Sequence, residues 1–113
     1  MAEGNISQKN RRNFVRRKPK GKAKVNCYKG TMDIGSNLAV GLADISESGV
    51  MLVLKVDLDK NQDVTLLLEG REHRRPIKAA GKIVWCVAME GGLFRAGIQL
   101  DSYLLYQDIM KIA

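Results

Sequence analysis

Between Ala23 and Leu100 the apolar residues recur at every second position, in short runs broken by clusters of Gly, Asp, Asn and Ser. A period of two puts alternate side chains on opposite faces of an extended chain, so a segment of this kind buries one face only by pairing with others like it. Six such runs can be counted. The first alternates Ala23, Val25 and Cys27 with Lys24, Asn26 and Tyr28. It is followed by LAVGLADI (Leu38 to Ile45), VMLVLKV (Val50 to Val56), VTLLLEG, RRPIKAAGKIVWCVA and FRAGIQL (Phe94 to Leu100). The connecting turns GTMDIGSN, SESG, DLDKNQ, REH and MEGG are short, which favours antiparallel neighbours. The fold class predicted is all-β: a six-stranded antiparallel barrel or sandwich.

Only the tail changes period. In DSYLLYQDIMKIA, Leu105, Ile109 and Ile112 fall at helical spacing behind a cap at Asp101 or Ser102, so a short C-terminal helix is expected to pack on one end of the strands. At the other terminus, KNRRNFVRRKPKGKAK (Lys9 to Lys24) holds nine basic residues and no acidic one. Pro19 and Gly21 oppose a helix running into the body. The expected division is a flexible N-terminal arm over residues 1–22 and a barrel domain over residues 23–113.

The charge is unevenly placed. The arm carries +9 while the whole chain carries +7, so everything else sums to −2. A near-neutral body with one basic arm points to a local contact with something anionic, where a uniformly basic surface would point to nucleic acid. No run approaches the roughly 18–20 apolar residues of a membrane span. The N-terminus lacks the apolar centre of a secretory leader, which points to the cytoplasm. Cys27 and Cys86 sit inside alternating segments without neighbouring ligands at metal spacing, and both are expected to be buried, inert thiols with no metal.

A search for catalytic chemistry yields none. The single histidine, His73, lies in the charged turn GREHRRP, where nothing would hold a general base in place. Asp57 and Asp59 flank a turn whose resemblance to a calcium loop stops short of the central Gly and final Glu. No phosphate loop and no nucleophile with a histidine partner can be assembled. Trp85, mid-strand among Ile83, Val84 and Val87, is expected in the core. The chain reads as a binding protein, not an enzyme.

Two short motifs carry recognition chemistry. Arg12 and Arg16 are four residues apart, which places both guanidinium forks on one side whether the arm is extended or helical. Paired forks suit paired phosphates, each fork giving two charge-assisted hydrogen bonds. In DISESG, Asp44 offers a carboxylate that can accept from the N1–H and N2–H₂ edge of guanine, Ser46 adds a hydroxyl for base or phosphate, and Gly49 permits a tight turn with close backbone approach. Taken alone, each has a plainer reading. So basic a segment throws up Arg at i and i+4 readily, and any β-turn selects Asp, Ser and Gly.

In combination they are more specific. Arg12-x-x-x-Arg16, 27 intervening residues, then Asp44-x-Ser46-x-x-Gly49 at the end of the second strand resembles the two-part signature of the PilZ domain family, bacterial receptors for cyclic di-GMP. RAGIQL resembles the family's last strand, and the six-stranded barrel with a terminal helix is the family's fold. The resemblance implies that the arm folds over the barrel, with Arg12 and Arg16 on the phosphates and the O6/N7 edges of guanine. It implies that Asp44 and Ser46 read a guanine and that Gly49 shapes the turn, with Arg11 and Arg17 as additional candidates beside the first motif. Glu47 departs from the Gly pair common at that turn and would weaken binding if it pointed inward. The function implied is a stand-alone receptor that binds cyclic di-GMP and relays the signal by contact with an effector protein. The alternative is a small barrel binding RNA or DNA non-specifically through the same arm, and a ligand-free structural module is disfavoured because both motifs are intact. Nucleic acid is the less favoured partner.

Overall fold

The computed structural model describes residues 15–19, 21, 23–32, 34–70 and 75–113. Arg11, Arg12 and His73 lie outside the described residues. Among the described residues six strands form, in chain order β1 (Lys24–Lys29), β2 (Ala39–Ile45), β3 (Gly49–Leu54), β4 (Asp63–Glu69), β5 (Ile77–Ala88) and β6 (Phe94–Leu100), with one α-helix, α1 (Tyr106–Ile112). All pairings are antiparallel, and the sheet order is β1-β4-β5-β6-β3-β2.

The sheet curls until its two edge strands meet, giving a nearly closed barrel. The seam is made by the residues just before β2. Leu38 N–H donates to Cys27 O at 2.8 Å, and the Asn37 side-chain oxygen accepts from both Cys27 N–H and Ala39 N–H at 2.9 Å. Asn37 also donates to Asn26 Oδ1 at 3.3 Å. One amide side chain thus satisfies edge backbone groups of β1 and β2 that would otherwise face each other unpaired.

The interior follows the alternation. Val25 and Cys27 of β1, Val50, Leu52 and Leu54 of β3, Leu66 and Leu68 of β4, Ile83 of β5 and Ile98 of β6 are buried. Burial pushes the Cys27 thiol up to about 12. Cys86 departs from expectation, being only half-buried, although burial still raises its thiol.

The helix begins later than its cap residues predict. Asp101 N–H donates to Ala80 O and Leu104 N–H to Glu47 O, so the backbone of this stretch is committed to the barrel before a helical turn can form. Leu105 takes the N-cap position without a side-chain cap, and neither Asp101 nor Ser102 serves as one. The apolar face shifts accordingly: Leu104, Ile109 and Ile112 are buried and Leu105 is 59% exposed. Seven residues are too few for a helix to persist alone, and burial of the two isoleucines, about 1.5–3 kcal/mol each, holds this one.

A cleft on the outer face of the barrel

Strict alternation from Leu42 would send Asp44 into the core. It does not, because β2 carries an extra residue there: Leu42 pairs with Leu52, yet Asp44 pairs with Met51 and Ile45 with Val50. A bulge of this kind reverses the phase of the strand. Ile45 therefore enters the core, where it is fully buried, and Asp44 is turned to the outer face beside Met51.

β5 does the same. Ile83 pairs with Ile98, but Trp85 pairs with Gly97 and Cys86 with Ala96, leaving Val84 as the extra residue. Trp85 leaves the core side on which the sequence alone would place it, and is 39% exposed. The indole lies directly across Gly97. A Cβ at Gly97 would stand 2.4 Å from Trp85 Nε1 and 2.5 Å from Cε2, so only glycine lets the ring settle there. A glycine inside a strand marks such close approaches, and Gly97 in FRAGIQL was the available signal for this one.

Two bulges on different strands thus deliver a carboxylate and an indole to one surface. They line a single cleft of about 690 Å³ together with Arg16, Ser46, Ser48, Gly49, Met51, Val84, Gln99 and Tyr103.

The turn beneath is tightly tied. Ser46 N–H donates to Gly49 O at 2.9 Å, Gly49 N–H donates to Ser46 Oγ at 3.3 Å, and the Ser46 hydroxyl lies 3.3 Å from Gly49 O. Gly49 owes its identity to the neighbouring strand: a Cβ would meet Ile98 O of β6 at 2.7 Å. Glu47 is not among the residues lining the cleft, and its carbonyl holds Leu104.

Among the described residues, the arm reaches this site through one antiparallel bridge. Arg17 N–H donates to Ile45 O at 2.9 Å, and Ile45 N–H donates to Arg17 O at 3.0 Å. Successive residues of an extended segment face opposite ways. Arg16 accordingly lines the cleft, while the Arg17 guanidinium lies 5.6 Å from the ring centroid of Tyr106 in α1. Of the residues singled out by sequence, the structure therefore brings Arg16, Asp44, Ser46 and Gly49 together and places Arg17 elsewhere; Arg11 and Arg12 are not described. Trp85, Met51, Gln99 and Tyr103 are lining residues that sequence reasoning did not assign to a site.

Among the described residues, no three of His, Cys, Asp and Glu gather as a metal site, and no helix is long and apolar enough to cross a membrane. No curated protein matches the chain. The family model for the PilZ domain matches residues 10–108, spanning the arm from residue 10 onward, all six strands and the first three residues of the helix, and on that match the chain belongs to the PilZ domain family.

Proposed function

We propose that this protein is a cytoplasmic receptor that binds cyclic di-GMP in the outer-face cleft and passes the signal to an effector protein by direct contact. PilZ domains are binding domains for this dinucleotide. The observation that carries the reading to these residues is the backbone bridge between Arg17 and Ile45, which sets Arg16 in the same cleft as Asp44 and Ser46 although 27 residues separate the two motifs.

The roles follow from the chemistry. Arg16, joined by Arg12, supplies forks for the phosphates and the guanine O6/N7 edge, while the Asp44 carboxylate accepts from guanine N1–H and N2–H₂. Trp85, held flat by Gly97, offers a face on which a base can stack. Arg17 serves as the pivot of the arm, and Glu47 stays off the ligand. With the arm folded over the ligand, Arg12 and Arg16 close the cleft, and the surface that results is what an effector would recognise.

Asp44→Ala tests the assignment. Removing charged hydrogen bonds of about 1.5–3 kcal/mol should weaken cyclic di-GMP binding roughly ten- to a hundredfold by calorimetry, with the thermal midpoint little changed because Asp44 is only half-buried. Wild-type affinity in the variant would remove Asp44 from the site.

A further inference from the structure

The contact between Arg17 and Tyr106 joins two parts of the chain that neither signature motif includes. Tyr106 opens α1 and is 56% exposed, so it contributes little to the core. Arg17 Nε is shielded from solvent and has no hydrogen-bond partner among the described residues. A guanidinium nitrogen withdrawn from water without an oxygen acceptor is costly unless another negative surface compensates it. The π face of Tyr106, within the roughly 6 Å over which such attraction acts, is that surface.

The consequence falls on the cleft. Among the described residues, the backbone of the arm meets the barrel through two hydrogen bonds at one residue pair, Arg17 and Ile45, and Pro19 cannot donate to extend that ladder. One bridge alone is a weak tether. The side chain of the same residue, stacked on Tyr106, adds a second point of attachment, so the backbone at Arg17 is held from both directions. Arg16 is the preceding residue, and its position in the cleft is set by that backbone.

We infer that Tyr106 is a positioning residue for ligand binding: by holding Arg17 it keeps Arg16 at the cleft, and so raises affinity for an anionic dinucleotide it does not touch. This rests on the reading of the cleft given above. Affinity scales with the fraction of molecules in which the arm is in place, so a latch worth a threefold to tenfold bias, as expected of a partly shielded cation–π pair, changes the apparent affinity by up to that factor, in full when the arm is in place in a minority of free molecules.

The test compares Tyr106→Leu, which keeps apolar bulk and loses the π face, with Tyr106→Phe, which keeps the face and loses only the hydroxyl. The first readout is amide exchange at Arg17 and Ile45, whose N–H groups make the bridge, and it needs no ligand. Exchange should be roughly three- to tenfold faster in the Leu variant and unchanged in the Phe variant, with the β3 and β6 amides unaffected in both. The second readout is cyclic di-GMP affinity, which should weaken measurably, by up to the same factor, in the Leu variant and be retained in the Phe variant. Equal exchange at Arg17 and Ile45 in wild type and Tyr106→Leu would overturn the inference, as would faster exchange with unaltered affinity. A wild-type protein that fails to bind cyclic di-GMP would instead overturn the ligand assignment, and the exchange comparison would still decide whether Tyr106 holds the arm.

Discussion

Substituting Gly97 with alanine should disable the cleft without unfolding the barrel. The added methyl would lie 2.4–3.0 Å from three atoms of the Trp85 ring, against an ordinary carbon contact of about 3.5–4.0 Å. The indole must therefore withdraw by about 1 Å or more, and it is free to do so because it lies on the outer face. Lifting the ring off β6 forfeits some tens of Å² of apolar contact, about 1 kcal/mol of stability at roughly 25 cal/mol per Å². The loss in binding should be larger. A base stacked on an aromatic face contributes about 1–3 kcal/mol, so affinity for cyclic di-GMP should fall roughly five- to 150-fold. Trp85 is the only tryptophan in the chain, which makes intrinsic fluorescence a direct assay. In Gly97→Ala the emission should shift to the red as the ring enters water, and quenching by ligand should diminish. Because the effect passes through the indole, Gly97→Ala should cost little further affinity in a Trp85→Ala background. Unchanged emission and wild-type affinity in Gly97→Ala, or an equal loss with and without Trp85, would refute this reasoning.

Two further predictions concern the barrel itself. Asn37→Ala removes the acceptor shared by Cys27 N–H and Ala39 N–H at the seam, and leaving buried backbone donors unpaired should cost about 1–3 kcal/mol, read as a lower urea midpoint with an unchanged slope. A midpoint equal to wild type would mean that the seam does not depend on Asn37. The Cys27 thiol, raised from its ordinary 9.0 to about 12, stays protonated in the folded state at pH values where the unfolded chain has begun to lose that proton. Its contribution to stability is therefore complete below about pH 9 and is lost as pH rises toward 12, and thiol reagents should modify the half-buried Cys86 well before Cys27 in native protein. Equal modification rates at the two cysteines would contradict the burial difference.

What the sequence made legible was whatever depends on period. Six alternating segments and their short polar turns were enough to place every strand, and FRAGIQL coincides with β6 end to end. Asp44, Ser46 and Gly49 were found because their residue types and spacing match a signature. Trp85 was misplaced for a definite reason: alternation from Ile83 assigns it to the core, and the bulge at Val84 that reverses the phase has no strong local signature. The same kind of bulge turns Asp44 outward, so the motif match grouped it with Ser46, which lines the same cleft, where periodicity alone would have sent it to the core. The late start of α1 was hidden because it is set by bonds to Ala80 and Glu47, partners 21 and 57 residues away from Asp101 and Leu104. Gly49 stands out in the sequence as a turn residue that permits close approach, while the constraint imposed by the Ile98 carbonyl on another strand is invisible there.

The central claim is that this cleft selects a guanine dinucleotide, and calorimetric titration of the full chain at moderate salt tests it most directly. Cyclic di-GMP, cyclic di-AMP and a short DNA duplex are titrated in parallel. Adenine has no N1–H and N2–H₂ donor pair for the Asp44 carboxylate, and a contact confined to the cleft engages two phosphates, where a wholly electrostatic arm would neutralise about nine. The account predicts saturable binding of cyclic di-GMP in the micromolar to high nanomolar range, with cyclic di-AMP and duplex binding far more weakly. Comparable binding of the two cyclic dinucleotides, or tight duplex binding with none of cyclic di-GMP, would contradict it.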